Sequence, residues 1–339
     1  MLSTLTAIPH GLLEAAPHEL YRILAGPTLI HLSGRRREPL LVSVLLHGDE
    51  DTGLRAVQIV LKRHAQRPLP RALSLFIGNI AAARNGVRRL DDQPDYNRVW
   101  PGSDQPPTPE HEMMARVVEE MRCRGVFASV DIHNNSGLNP HYACVSRLDP
   151  RALHLCALFS RTVVYFTRPL GVQVSAFNDL CAAVTLECGK PGVAASAERA
   201  AEFIEGCLHL AQFPAHSPPP RDLDIYHSVA TVKVPRDVTF SFSEDDVDLR
   251  LVPDLDHMNF QELAPRIFWG HVRKGCDRPL EVIDAAGGGA FERYFTVSND
   301  ELRLARSVMP AMLTVDEGAI RQDCLCYLME RLASPAQSG

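Results

Sequence analysis

No stretch of this chain is apolar over the roughly 18 residues that a membrane-crossing helix needs. Nor does the N-terminus, Met1-Leu2-Ser3-Thr4-Leu5-Thr6, place positive charge ahead of an apolar run, so a secretory leader is not expected. A basic surplus is also missing. Thirty-five Lys and Arg stand against 41 Asp and Glu, for a net charge of −6 with no basic stripe, which argues against nucleic acid as a partner. The nine cysteines are odd in number and scattered, and Cys324 and Cys326 form C-x-C rather than C-x-x-C. Neither a disulfide framework nor a cysteine zinc cluster is expected, and free thiols in a reduced cytoplasmic setting fit the pattern best. Internal repeats are absent.

The 339 residues contain enough apolar side chains, 45%, for a large core and more than one domain. Short runs rich in Val, Ile and Leu predict buried strands at Thr28–Leu32, Leu40–Leu46, Leu73–Ile77, Val126–Ile132, Thr162–Phe166 and Ala182–Leu186. Helical periodicity lies between and after them, at Thr52–His64, Pro109–Arg124 and Ala197–Gln212. This alternation predicts an α/β fold with a parallel or mixed central sheet and helices on both faces. The texture changes after Phe213, where Ser217-Pro218-Pro219-Pro220 breaks the chain and strands with polar turns follow at Ser228–Phe242 and Leu280–Val297. Two domains are therefore expected, 1–213 and a smaller β-rich one, 214–339. The Gly287-Gly288-Gly289 run lacks the lysine and the strand–helix context of a phosphate loop, and reads as a turn.

Four segments carry residues suited to chemistry. The strand Leu41–Leu46 runs into His47-Gly48-Asp49-Glu50, an imidazole and a carboxylate three residues apart at a strand-to-helix turn, where both can converge on one metal ion. Ser129-Val-Asp131-Ile-His133-Asn134 ends a second strand, with His133 as a third ligand and Asp131 placed to orient an imidazole. Three protein ligands leave a fourth position for water, as a catalytic zinc site requires. A third strand ends at Glu187, where a carboxylate near such a water can serve as general base. The fourth segment is the loop Arg88-Arg89-Leu-Asp-Asp-Gln-Pro-Asp-Tyr-Asn97-Arg98, whose Asn97 and Arg98 can grip a carboxylate and whose other arginines can stabilise an oxyanion. Each segment alone has an ordinary structural explanation, namely a polar turn, a satisfied histidine, a paired strand-end acid or a solvated charged loop.

Taken in order, His47-Gly-Asp-Glu50, Asn79, Arg89…Asn97-Arg98, Asp131-Ile-His133-Asn134 and Leu186-Glu187-Cys-Gly189 resemble the M14 zinc carboxypeptidase superfamily, in its succinylglutamate desuccinylase/aspartoacylase branch. The resemblance spans roughly residues 40–190. It implies a zinc carboxypeptidase-like α/β catalytic domain with one zinc ion per chain, held by His47, Glu50 and His133. It makes Glu187 the general base and then the acid, Arg89 the oxyanion stabiliser, and Asn97, Arg98 and Asn134 substrate-binding residues. The segment from Arg89 to Asn97 is one residue longer than the family pattern, which leaves Arg88 and Arg89 both open for the oxyanion role. Ile80 stands where the family often has proline, and no counterpart of the substrate-facing tyrosine is legible near Ala286.

The resemblance implies hydrolysis of the amide of a small N-acyl amino acid bearing a free carboxylate, with the C-terminal domain shaping the active-site entrance. The alternatives are a zinc carboxypeptidase acting on short peptides and a non-catalytic metal-binding homologue. Neither a membrane nor a nucleic acid is expected as partner. A homo-oligomer is compatible with the sequence, which does not specify one.

Overall fold

A computed structural model describes residues 2–332. The chain forms two compact units, one running up to Asn134 and resuming at His141–Asp224, the other made of Asn135–Pro140 and the chain from Ile225 onward. The sequence break at the prolines lies just ahead of the boundary at Asp224, whereas the excursion at Asn135–Pro140 has no compositional mark.

In the first unit, strands β1 (Ser3–Leu5), β2 (Thr28–Leu32), β3 (Gly34–Val44), β4 (Leu69–Ile77), β5 (Ala128–His133), β6 (Tyr142–Val145), β7 (Thr162–Tyr165) and β8 (Ala182–Glu187) lie in the order β1-β2-β4-β3-β5-β8-β6-β7. Pairing is parallel for β3 with β4, β3 with β5 and β5 with β8, and antiparallel for β2 with β4 and β6 with β8. The sheet is thus mixed. The helices are α1 (Thr52–Arg63), α2 (Ile80–Asn85), α3 (Pro109–Cys123), α4 (Pro150–Phe159), α5 (Gln173–Ala176) and α6 (Ala194–His209).

Strand residues alternate between two faces, and both faces are covered. Leu41, Phe76 and Ala183 share a core with Met113, Met114 and Val117 of α3. On the opposite face α1 comes so close that a Cβ on Gly53 would meet Val44 Cγ1 at 2.9 Å and Ile132 Cβ at 3.1 Å. Burial on both sides explains why these strands read as continuous apolar runs rather than alternating ones. Short elements such as α5 and β6 escape the sequence reading because four residues carry no measurable periodicity.

A buried arginine ties this sheet to a helix end. Arg71 on β4 is 1% exposed, and donates to Glu38 O and Leu210 O at 2.8 Å each. Its guanidinium carbon lies 3.5 Å from the Phe127 ring centroid. Leu210 follows α6, so its carbonyl is among those a helix C-terminus leaves without an internal partner.

The second unit is β-rich. Strand β9 (Asp224–Lys233) pairs antiparallel with β13 (Glu281–Asp284) and β17 (Cys326–Arg331), and β17 with β16 (Met309–Ala311). A separate sheet is ordered β10 (Phe240–Ser241), β11 (Leu249–Leu251), β12 (Phe268–Val272), β15 (Glu301–Leu304) and β14 (Phe295–Ser298). Trp269, Tyr294, Phe295 and Leu302 fill its core. The expected strand region Leu280–Val297 also contains a helical turn at Phe291–Tyr294, and the glycine run forms a turn closed by Ile283 opposite Gly289. The excursion Asn135–Pro140 is bonded within this unit, with Ser136 Oγ donating to Thr314 Oγ1 at 2.9 Å and Met312 N to Asn139 Oδ1 at 2.9 Å. All nine cysteines are free, and no helix among the described residues is long and apolar enough to cross a membrane.

Candidate metal centre

Just past the end of β3 the backbone takes a left-handed turn ahead of His47. Leu45 adopts φ 55°, a left-handed conformation that costs energy for a side chain of its size. Three residues on, Gly48 packs against α2 so tightly that a Cβ there would meet Ala83 N at 2.2 Å and Ala82 C at 2.3 Å. Only glycine fits that approach. The same Gly48 N donates to Arg88 O at 3.0 Å, which joins the ligand-bearing turn to the arginine loop. Helix α2 is itself capped by Asn79, whose Oδ1 accepts from Ala82 N at 3.0 Å, and it starts normally with Ile80 in place of proline.

His47, Glu50 and His133 each offer a ligand atom within 4.8 Å of the others, and all three are buried. The Glu50 carboxylate lies between the imidazoles, Oε1 2.8 Å from His47 Nδ1 and Oε2 2.8 Å from His133 Nδ1. Both rings point Nδ1 inward, and each outer nitrogen meets a second carboxylate. His47 Nε2 lies 2.9 Å from Asp95 Oδ1, and His133 Nε2 lies 2.7 Å from Asp131 Oδ2. A carboxylate behind each imidazole fixes its tautomer and raises its basicity, the arrangement typical of metal-bound histidine. Two imidazoles and one carboxylate also suit zinc as donors. The residues therefore fit a divalent ion.

Charge in the cluster is coupled. Burial and Arg88 both push the His47 pKa down, yet Glu50 and Asp95 outweigh them and raise it. Burial likewise opposes the charged form of His133, but Asp131 and Glu50 hold its pKa well above the ordinary histidine value. Burial would raise the Glu50 pKa, and the two imidazoles hold it far below the usual carboxylate range instead. Asp95 is held low against burial by His47, Arg88 and Arg98.

Glu187 ends β8 directly beside His133, its register partner on β5, and opposite Tyr142 on β6. It is 7% exposed. Of the adjacent arginines Arg88 and Arg89, Arg88 reaches the cluster, with Nη2 2.9 Å from Asp95 Oδ2 and Nη1 3.7 Å from Glu50 Oε1. Arg89, one of the two arginines open for the oxyanion role, donates from Nη1 to the loop carbonyls of Gln93 at 3.0 Å and Leu90 at 3.5 Å. Its guanidinium satisfies backbone that the turn leaves exposed.

Asn134, an expected substrate contact, makes side-chain bonds within the fold. Its Nδ2 donates to Thr52 Oγ1 at 2.9 Å and Gly189 O at 2.8 Å, while its Oδ1 accepts from Thr52 N at 3.2 Å. It thus caps α1 from a neighbouring strand, where Asp51 makes no capping bond of its own. The Asn134 backbone N–H does serve the cluster, donating to Glu50 Oε2 at 3.0 Å. Asn97 is brought in, with Nδ2 3.1 Å from His133 Nε2, and Arg98 Nη1 donates to Asn97 O at 2.8 Å. Asp95 went unread in the sequence. Its signal was its place two residues before Asn97 in Asp95-Tyr96-Asn97-Arg98.

A family model described as the succinylglutamate desuccinylase/aspartoacylase catalytic domain matches residues 38–213, just over half of the chain. A succinylglutamate desuccinylase of Burkholderia thailandensis is 32% identical over 97 residues, covering 28% of this chain; the matched segment spans only 27% of that relative's length. Among solved structures, a Chromobacterium violaceum succinylglutamate desuccinylase shares the fold with a TM-score of 0.55 at 17% identity, over 89% of this chain and 87% of its own. Murine aminoacylase 3 does so with a TM-score of 0.55 at 16% identity, over 88% and 97%. A succinylglutamate desuccinylase/aspartoacylase from Rhodobacter sphaeroides gives 0.56 at 15%, over 90% and 89%. With the matched segment carrying the whole cluster from His47 to Glu187, this chain belongs to the succinylglutamate desuccinylase/aspartoacylase family.

Proposed function

We propose that the chain is a zinc-dependent deacylase that hydrolyses the amide bond of a small N-acyl amino acid. The observation that carries this reading is the convergence of His47, Glu50 and His133 within 4.8 Å, with Glu187 at the next strand end in register with His133. The names of the related proteins support an acyl amino acid as the substrate class.

The two imidazoles and Glu50 would hold one zinc ion, whose chemistry is to polarise the scissile carbonyl and lower the pKa of a water. Glu187 takes a proton from the attacking water and delivers it to the departing amine nitrogen, one carboxylate serving as base and then acid. Arg88, held by Asp95, offers a fixed guanidinium for the negative charge that builds on the carbonyl oxygen. Asn97 and Arg98 receive the free carboxylate of the substrate. Glu187 and His133 are both buried, so the proton transfer takes place where charge is poorly screened.

The test is a panel of N-acyl amino acids and dipeptides offered to the zinc-loaded protein, with release of free amine as readout. Turnover of acyl amino acids that is lost on chelation and restored by zinc is expected. Bound zinc without turnover of any amide in the panel would sink the reading.

A further inference from the structure

Gln173 opens α5, is fully buried, and belongs to no part of the mechanism above. Its backbone N–H donates to Asn97 Oδ1 at 3.2 Å. Its side chain reaches the other way, into the sheet, with Nε2 2.9 Å from Ser129 Oγ and 3.5 Å from Val130 O. The anchor lies wholly on that nitrogen, since Oε1 has no partner.

An asparagine amide can be turned either way, and its neighbours decide which end faces where. With Oδ1 taken by Gln173 N–H, the NH2 end of Asn97 must face His133, 3.1 Å from Nε2. Turned over, the NH2 would confront a second N–H. Asp131 Oδ2, 2.7 Å from His133 Nε2, calls for a hydrogen on that nitrogen, and a protonated ring nitrogen has no lone pair to offer. The Asn97 NH2 therefore cannot be satisfied by His133 and presents a donor that needs an acceptor.

We propose that Gln173 is a positioning residue that fixes the polarity of Asn97, so that the site offers a hydrogen-bond donor and selects a ligand bringing a carboxylate oxygen to it. The kinetic part rests on the deacylase reading, and the structural part does not.

Two substitutions separate the backbone bond from the side-chain anchor. Gln173→Pro deletes the N–H. It fits because the position is the first of a helix and Val172, at φ −101° and ψ 151°, already has the extended backbone that precedes proline. Gln173→Leu keeps the N–H and removes only the anchor. In the zinc-loaded Gln173→Pro protein, KM for an N-acyl amino acid rises about tenfold with kcat little changed, the loss of roughly one hydrogen bond. KM for the methyl ester of the same compound stays put, and Gln173→Leu shows a smaller rise in the acid alone.

The second readout needs no activity. Side-chain amide resonances of Asn97, assigned by their disappearance in Asn97→Ser, shift and lose protection from exchange in Gln173→Pro and move less in Gln173→Leu. Equal effects of the two substitutions, or unmoved Asn97 resonances in Gln173→Pro, would overturn the proposal. Should the proline variant not fold, Gln173→Leu and Ser129→Ala take its place, and both leaving the Asn97 signals at wild-type positions overturns it equally. Wild-type protein that turns over no acyl amino acid would fail the deacylase reading alone, and the amide resonances would still decide the role of Gln173.

Discussion

Asp95 grips His47 and Arg88 with one carboxylate, Oδ1 2.9 Å from His47 Nε2 and Oδ2 2.9 Å from Arg88 Nη2. A candidate metal ligand and the Arg88 guanidinium are thereby set at a fixed spacing by one carboxylate. Asp95→Asn keeps the shape and removes the charge. Zinc affinity, measured by competition with a chelator, should fall about 10- to 100-fold.

The arginines separate cleanly. Arg88→Ala should lower kcat about 100- to 1000-fold, the scale of losing one oxyanion donor. Arg89→Ala, which removes bonds to loop carbonyls, should leave kcat near wild type and lower thermal stability modestly. Steady-state kinetics on both variants checks the assignment, and the opposite pattern would return the role to Arg89.

Glu187→Gln should retain zinc at wild-type stoichiometry while losing turnover about 100- to 10,000-fold, as expected for a lost general base. Metal analysis beside the kinetics distinguishes this from damage to the metal centre.

Without metal, His47 and His133 hold their protons to higher pH than an ordinary imidazole, because Glu50 with Asp95 and Asp131 outweigh the effect of burial. Their contribution to stability is then present below the ordinary histidine value near 6.5 and is lost as pH rises through the higher folded values. Zinc binding competes with those protons, so uptake should strengthen with rising pH and be accompanied by proton release. A weakly buffered indicator titration reads the release. Uptake independent of pH would contradict it.

Arg71→Ala leaves Glu38 O and Leu210 O without their buried donors and strips the face of Phe127. A loss of about 2–4 kcal/mol in urea unfolding is expected, with no change in zinc content.

How much of this was written in the sequence depends on the length scale of each feature. Strand β2 begins and ends where its apolar run does, and β8 runs one residue past its own, because burial on both faces leaves a continuous signature. His47, His133 and Glu187 stand out as candidates because each ends or closely follows such a run, and Glu50 because it lies three residues after His47. The choice between Arg88 and Arg89 was not legible. It depends on how a loop with no periodicity turns, and adjacent side chains there point to different neighbours. Asn134 stands out as a site candidate because it follows His133, and its bond to Thr52 N is invisible in its own segment because it depends on where a distant helix starts. Gln173 left no trace at all, because its part is played by a backbone N–H that every residue but proline possesses.

Gly48 lets two stretches of main chain meet directly. Because the turn carrying His47 and Glu50 rests main chain against main chain on Ala82 and Ala83, the spacing of these two ligands belongs to the backbone and not to side-chain choice. The freedom they would otherwise lose on meeting an ion is lost earlier, when the chain folds. The cluster is thus preorganised, and a metal ion bound there would carry little reordering cost.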